Sequence, residues 1–420
     1  MANMASVSVG TGYSEWEKGA VSRIPYKMYF DESVYEQEQE KIYRGPLWHF
    51  LGMEAEVPQI NDFKSTFVGE TPVVLTRTET GGVAAWINRC AHRGAMVTRE
   101  RRGNKESHQC VYHQWAFDSY GDLVGVPFRR GIAGKGGYPK DFNLKENGLT
   151  KLRVEAINGV VFATFDDSAP TLREFLGDSV CAMMNRICGK PLKLLGYHRQ
   201  HLHGNWKLYL DNTRDPYHAS LLHLFHATFG LYRSSQEGFN HVDGAEGMHS
   251  ILCAKTGTDD SASTAEAYSN MRSFQPDTFT LQDPSILRGR KEFNDDISLT
   301  IMSVFPSLIV QQIANTLCLR QVIPSKNDET ELIWHFFGYQ DDDEEMDQIR
   351  LKQMNLVGPG GLISMEDGEA VELVNRAVRR DGDRCTFLEM GGRTAEGAEH
   401  LVTEGSIRSM WAGYRKVMGI

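Results

Sequence analysis

Two short stretches of this 420-residue chain carry metal-ligating side chains in an arrangement that narrows the chemistry sharply. RCAHRG at 89–94 offers Cys90 and His92, and CVYHQW at 110–115 offers Cys110 and His113. Each loop mixes one thiolate with one imidazole. The common zinc pattern groups its ligands differently, with two cysteines on one knuckle and two histidines on a helix. Interleaved ligands suit a [2Fe–2S] centre in which two cysteines hold one iron and two histidines the other, so that each of two facing hairpin loops grips both irons. Imidazole in place of thiolate also raises the reduction potential. The competing assignment is a structural zinc site with two cysteines and two histidines, which a brown protein would exclude.

A second concentration of donors lies downstream in His201, His203, His218, His223 and His226. His218 and His223 are five residues apart, about 140° round a regular helix, whereas His223 and His226 are helical neighbours. Spacing alone therefore does not choose among them, although a distortion near Pro216 would reconcile the first pair. In GPGGLISMEDGEA at 358–370, Glu366 and Asp367 could each complete a metal site or merely cap or solvate a helix start. Arg320, in ANTLCLRQVIP at 314–324, sits among residues suited to a buried strand. Arginine is almost never fully buried alone. It pairs with a protein acid, lies on a wet face, or meets a substrate carboxylate in the bidentate geometry that a guanidinium favours.

The elements that position these residues follow from periodicity. Residues 26–44 alternate apolar and charged side chains at helical spacing before Gly45 and read as one amphipathic helix packed across the body. From Trp48 to about Asp167 the chain turns to short β-rich runs with glycine turns, such as TPVVLTRTETGGVAAWINRC, and GVVFATF at 159–165 is the expected last strand. The following DDSAPTLREFLG reads as an exit linker and helix start. NWKLYLDNTRDPYHASLLHLFHATF at 205–229 has a long helical pattern broken by Pro216. SLTIMSVFPSLIVQQI and ANTLCLRQVIP at 298–324 read as paired strands, and ELIWHFFGYQ adds another. DDDEEMDQ at 341–348 opens a helix with acids at the positive end of its dipole. The polar, turn-rich stretch 255–270 reads as a mobile loop bordering a substrate entrance.

Composition sets outer bounds. The length suggests two or three domains, two being preferred. With 41% hydrophobic and 24% charged residues the chain is ordinary for a globular protein. No apolar run reaches the roughly 18 residues that a membrane span needs. The small, polar N-terminus lacks signal-peptide features, which places the protein in the cytoplasm. Of seven cysteines, Cys181, Cys188, Cys253, Cys318 and Cys385 remain after the cluster pair, an odd and scattered set that fits reduced thiols. A formal charge of −10 argues against nucleic acid as a partner. The basic run RERRGNK at 99–105 reads as a solvated hairpin face or as a docking surface for an acidic redox partner. No GxGxxG fingerprint follows a strand, so nicotinamide and flavin belong to another protein.

Over nearly its whole length the chain resembles the large (alpha) subunits of Rieske non-haem iron aromatic ring-hydroxylating dioxygenases. The cluster loops carry the resemblance, with DNTRDPYHASLLH at 211–223, GPGGLISMEDGEA at 358–370 and SIRSMWAGYRKVMG at 406–419. Within the family it is most similar to anthranilate, terephthalate and salicylate oxygenases. The resemblance implies an α+β fold: a small all-β Rieske [2Fe–2S] domain at 46–168 and a catalytic domain of antiparallel sheet covered by helices at 169–420, preceded by an N-terminal segment at 1–45. It implies the cluster ligands Cys90, His92, Cys110 and His113. Trp115 is expected to shield the cluster or to pack in the core.

A Rieske cluster moves single electrons and cannot itself activate dioxygen, so an oxygenase needs a second centre. This is an Fe(2+) held by two histidines and one carboxylate with open positions for O2. The family pattern Asn-x-x-Asp-x-Tyr-His-x4-His falls on Asn212, Asp215, Tyr217, His218 and His223. It implies His218 and His223 as iron ligands, with Asp367 as the third, where the family often has two aspartates and this chain has Glu366 and Asp367. Asn212 and Asp215 are implied catalytic residues, Asp215 joining His218 to His113 of the partner subunit. Such a bridge implies a ring, either a homotrimer or α3β3 with small beta subunits. Electrons would come from NAD(P)H through a flavin reductase, with or without a ferredoxin. For anthranilate, dioxygen added across C1 and C2 gives a cis-diol that collapses to catechol with loss of ammonia and carbon dioxide. Terephthalate cis-dihydroxylation and salicylate 5-hydroxylation are the alternatives. A different class, a Rieske electron carrier or binding protein, would hold the cluster without mononuclear iron, and the set His218, His223 and Asp367 argues against it.

Overall fold

In the strand Thr71–Arg77 neighbouring side chains point to opposite faces, and both faces find apolar partners. Val73 and Leu75 enter the large core that the two halves of the molecule share, whereas Val74 enters a smaller core with Phe63, Trp86, Cys90, Cys110 and Trp115. The strand Val83–Ile87 divides in the same way, Ala85 and Ile87 to one side and Trp86 to the other. The first sheet is therefore covered on both faces, and its smaller core supports the cysteine-bearing loops. The computed structural model describes residues 16, 17, 20–255, 257, 268, 269 and 281–420. Apart from Lys255, Gly257, Tyr268 and Ser269, the entrance loop expected at 255–270 lies outside the described residues, as does most of the polar N-terminus.

The first sheet has seven antiparallel strands in the order His49–Met53, Val160–Thr164, Lys151–Ile157, Val83–Ile87, Thr71–Arg77, Asp62–Val68 and Arg102–Asn104. A three-stranded sheet of His108–Gln109, Ala116–Phe117 and Leu123–Gly125 carries the second cysteine loop. The larger sheet is also seven-stranded and antiparallel, in the order Leu192–Leu202, Glu329–Tyr339, Thr316–Lys326, Leu308–Ile313, Ile297–Val304, His249–Lys255 and Gly238–Asp243. Helices Glu344–Val357, Ser364–Val378 and Gly405–Met418 pack against it or against its neighbouring helices. This is the expected α+β architecture. Lys64 locks the sheets together: its buried Nζ lies 2.9 Å from Glu56 and 2.9 Å from His335 Nε2 of the larger sheet.

Three local expectations need correction. Residues 26–44 form a 3-10 turn at Tyr26–Tyr29, then a helix at Glu32–Glu38, then a wider π turn at Gln39–Tyr43. Asp31 breaks the run because its carboxylate accepts from the Ser33 N–H and starts a new helix. The paired strands at 298–324 are three, because the chain turns at Phe305–Ser307 and divides the first run into Ile297–Val304 and Leu308–Ile313. The pattern at 205–229 becomes three short helices, Trp206–Asn212, Ala219–Leu222 and Leu224–Thr228, and these breaks build the site.

Two candidate metal centres

The cysteine loops share one backbone plan. Cys90 N–H donates to Ala95 O while Gly94 N–H returns to Cys90 O, and Cys110 N–H donates to Trp115 O while Gln114 N–H returns to Cys110 O. The fifth residue of each loop is left-handed, Gly94 at φ 77° and Gln114 at φ 56°. Glycine suits the first for its backbone freedom alone, since a Cβ there would meet no atom within 4 Å. One plan thus presents a histidine from the third position in one loop and the fourth in the other. The Asn88 side chain clamps the first loop, donating to Thr98 O at 2.7 Å and accepting from the N–H groups of Val97 and Thr98. Thr98 meets His108 Nδ1 at 3.0 Å and so ties one loop to the base of the other.

The candidate cluster ligands meet in like pairs, thiol beside thiol and imidazole beside imidazole. Cys90 and Cys110 are buried free thiols, and burial together with the neighbouring Cys110 raises the Cys90 pKa. His92 and His113 are half-buried with ring centroids 4.5 Å apart. Trp115 stacks on His92 at 4.8 Å and 7° and belongs to the smaller core. This set of two thiols and two imidazoles at the tip of two loops fits a [2Fe–2S] cluster.

The second site forms where the 205–229 segment breaks. Asp215 ends the first helix region, and its Oδ1 accepts from the N–H groups of Tyr217 and His218. One helical turn follows, with His218 as its N-cap and His223 as its C-cap at φ −89°, ψ 84°. Because His223 has left helical geometry, the five-residue spacing no longer separates the rings, whose centroids lie 5.4 Å apart. Asp367 arrives from the first turn of Ser364–Val378. Gly368 lets that helix approach the sheet, since a Cβ there would lie 2.7 Å from Gln200 Nε2 and 3.2 Å from Leu202 Cδ2.

The ring nitrogens are sorted. His218 Nε2 and His223 Nε2 lie 3.3 and 3.1 Å from the same Asp367 Oδ1, while their Nδ1 atoms face Asp215 at 3.3 Å and Glu366 at 2.8 Å. Donor atoms of His218, His223 and Asp367 all fall within 4.8 Å of one another. Asn212 Nδ2 lies 3.1 Å from Asp367 Oδ1 and 3.4 Å from His218 Nε2. Burial opposes charge on Asp367, yet hydrogen bonds from both histidines hold its carboxyl far below the usual range. Burial likewise opposes the His218 cation, but Asp215 and Asp367 prevail and raise it to about 10. Protons held this way are what a divalent ion displaces on binding, and the set fits Fe(2+) with open positions. His201 and His203 stay exposed outside the group. Glu366, weighed as an alternative ligand, instead braces His223.

Arg320 lies in the same pocket wall, 4% exposed. Its Nη1 donates to Tyr209 Oη at 2.9 Å, and its guanidinium carbon sits 4.0 Å from the Trp334 ring centroid. No acid pairs with it among the described residues, and its Nε has no partner. The Tyr209 and Trp334 contacts were invisible to sequence reasoning, since both residues read as ordinary core. His226 also faces the pocket, and burial pushes its pKa down to about 3.

A [2Fe–2S] loop pair on the β-rich first half and a site of two histidines and one carboxylate on the helical segments beside the larger sheet define a Rieske non-haem iron oxygenase. Residues 47–135 match the Rieske [2Fe-2S] domain, and residues 192–419 match the ring hydroxylating alpha subunit catalytic domain. The chain belongs to the ring-hydroxylating dioxygenase family and is the alpha subunit of a terminal oxygenase, an oxidoreductase whose cofactors are a [2Fe–2S] cluster and non-haem iron. It is 51% identical to the anthranilate 1,2-dioxygenase large subunit of Burkholderia cepacia over 95% of this chain and 94% of that protein. It is 42% identical to the terephthalate 1,2-dioxygenase terminal oxygenase component subunit alpha 2 of Comamonas sp, covering 96% and 97%. Against the salicylate 5-hydroxylase large oxygenase component of Ralstonia sp it is 40% identical, covering 96% of each. The fold matches naphthalene 1,2-dioxygenase from Rhodococcus sp. at a TM-score of 0.77, with 22% identity and 94% of each chain covered. No helix among the described residues is long and apolar enough to cross a membrane.

Proposed function

We propose that this subunit oxygenates an aromatic carboxylate, anthranilate being the best match. Dioxygen, two electrons and two protons add across C1 and C2, and the resulting cis-diol loses ammonia and carbon dioxide to leave catechol. The observation that carries the substrate class is Arg320, a buried guanidinium in the wall of the triad pocket that no protein acid neutralises among the described residues. A substrate carboxylate supplies the missing charge, and Tyr209 and Trp334 hold the guanidinium for it. The 51% identity to an anthranilate dioxygenase supports the same choice.

In this reading Cys90, His92, Cys110 and His113 hold the cluster, and His218, His223 and Asp367 hold the iron. Held there, the cluster would supply single electrons and the iron would supply dioxygen chemistry. Asp215 and Glu366 orient the two imidazoles through Nδ1, which keeps each Nε2 turned inward. Asn212 orients Asp367. Asp215 also bridges to His113 of the partner subunit, which requires a ring such as a trimer, alone or with small beta subunits. Val111 and Tyr112, 58% and 55% exposed beside His113, give the cluster loops an apolar rim suited to burial against that neighbour. A flavin reductase, directly or through a ferredoxin, brings electrons from NAD(P)H, and the enzyme works in the cytoplasm. The division at 46–168 and 169–420 belongs to this reading, as does the N-terminal segment 1–45 packed on the body.

The test is coupled oxygen uptake with a matched reductase over a panel of benzoates and carboxylate-free rings. Anthranilate should be consumed with stoichiometric oxygen and catechol. Turnover of rings without a carboxylate, with benzoates ignored, would overturn the assignment.

A further inference from the structure

The pocket over the triad is walled by Leu252, Leu299, Ile301 and Ile313 from the sheet, and by Ile363. Most polar groups in this lining are already committed. Thr213 Oγ1 donates to Leu210 O, Ser364 Oγ to Val357 O, and Asn212 Nδ2 to Asp367. Tyr232 Oη donates to Pro216 O. Apart from the triad and its braces, two side chains keep polar atoms without partners among the described residues. One is Arg320 at Nε, and the other is His226 at both ring nitrogens.

His226 is 3% exposed, and its ring stands edge-on to His223 at 5.3 Å and 75°. It is not one of the three converging donors. An imidazole buried with its N–H and lone pair unpaired costs stability that leucine or phenylalanine at the same place would not. A pocket residue of this kind finds its partner on the ligand.

We propose that His226 is a specificity-determining residue, hydrogen-bonding an amino or hydroxyl substituent on the aromatic ring whose carboxylate Arg320 holds. The inference rests on the aromatic carboxylate reading above and deepens it. An amine or phenol can donate to the imidazole lone pair, and a phenol oxygen can accept from the ring N–H. A second carboxylate would call for a second cation, and Arg320 is the only lysine or arginine lining the pocket among the described residues. The site therefore prefers amino- or hydroxybenzoates to dicarboxylates.

The experiment compares the holoenzyme with His226→Leu and His226→Gln, at matched cluster and iron content. Binding of 2-aminobenzoate without oxygen is read from ligand fluorescence, with benzoate and terephthalate as competitors, and kcat/KM is measured on the same compounds. The parent should prefer 2-aminobenzoate to benzoate, and His226→Leu should shrink that ratio by roughly tenfold or more, as expected when a site loses its partner for a substrate polar group. His226→Gln, which keeps a donor and an acceptor, should recover part of it. A parent-like ratio in His226→Leu, or equal losses on benzoate and 2-aminobenzoate, would overturn the role while leaving the carboxylate reading intact. If His226→Leu loses iron, the ratio in His226→Gln against His226→Phe decides on the same terms. A parent that binds neither 2-aminobenzoate nor benzoate removes the carboxylate reading and this inference with it.

Discussion

Arg320 concentrates the substrate question in one side chain. Truncating one partner of a buried, hydrogen-bonded ion pair costs on the order of 2–5 kcal/mol, so Arg320→Leu should lower kcat/KM on a benzoate by roughly 30-fold to several thousand-fold. Arg320→Lys should recover only part, because an ammonium cannot reproduce the planar fork. Steady-state kinetics on enzyme with intact cluster and iron decide this, and undiminished turnover by Arg320→Leu would sink the carboxylate contact. Asp215 poses a different question, since it touches His218 without joining the converging donors. Asp215→Ala should retain cluster and substantial iron while turnover collapses. In a single turnover with substrate and oxygen its cluster should stay reduced, and normal reoxidation would exclude Asp215 as a necessary bridge.

The element that makes the proposed iron site is the single turn Ala219–Leu222, with a histidine at each end. One extra alanine between Ser220 and Leu221 advances His223 by ~100° and ~1.5 Å along the turn. Iron measured by metal analysis should fall sharply in this variant, while the visible spectrum of the cluster persists. The loops can be tested in the converse sense, since Cys110→Ala removes a thiolate that nothing nearby replaces. Its colour and reduced-state EPR signal should vanish, and a brown protein with an unchanged signal would reject the assignment of that loop. Legibility in the sequence follows the same division by locality. The cluster loops were readable because each packs its donors into a few residues with one backbone plan. The relative placement of His218 and His223 was not, because it depends on Asp215 capping the turn and on His223 leaving helical geometry. Arg320 stood out as a charge in an apolar strand. His226 did not, because a histidine in a helical run looks the same whether its nitrogens are satisfied by protein or reserved for a ligand. The overread helix at 26–44 failed for a related reason: Asp31 fits a helical pattern by periodicity, yet its carboxylate prefers the N–H of Ser33.

At the scale of the whole molecule, buried histidines set the acid limit. Burial pushes His49, His226 and His249 down to about 3 and His108 and His335 to about 4. Their folded pKa values lie below the unfolded value of about 6.5, so the unfolded chain takes up protons that the folded one refuses. This stabilisation is complete above about pH 6.5 and is lost as pH falls toward 4. Asp211, pushed up to about 7 by burial, acts oppositely, its contribution being present below the unfolded carboxylate value and lost as pH rises toward 7. Five histidines outweigh one aspartate, and denaturant melts should lose on the order of 5 kcal/mol per pH unit between pH 6 and 5. His335→Gln should flatten that slope by about one proton, and an unchanged slope would show that His335 titrates normally.

Among the described residues, the segment around Tyr29–Glu38 and the helix Gly405–Met418 meet around Glu38 and Asp211. Glu38 pairs with Lys207 at 2.7 Å and accepts from Trp206 Nε1 and Tyr414 Oη, while Asp211 accepts from Tyr29 Oη at 2.8 Å and Trp411 Nε1 at 2.9 Å. On the ribosome this clasp closes last. Both cysteine loops and the strands beneath them lie before residue 165, whereas Asp367 and the closing helix come near the end. At ~5–20 residues per second, the roughly 250 residues between Cys110 and Asp367 take on the order of 10–50 s to synthesise. On the proposed ligand sets, the nascent chain should present a binding scaffold for the cluster well before it can bind iron, giving loading a built-in order. Chains arrested after residue 200 should accept the cluster and bind no mononuclear iron; arrested chains without cluster would mean that the first centre, too, waits for the clasp.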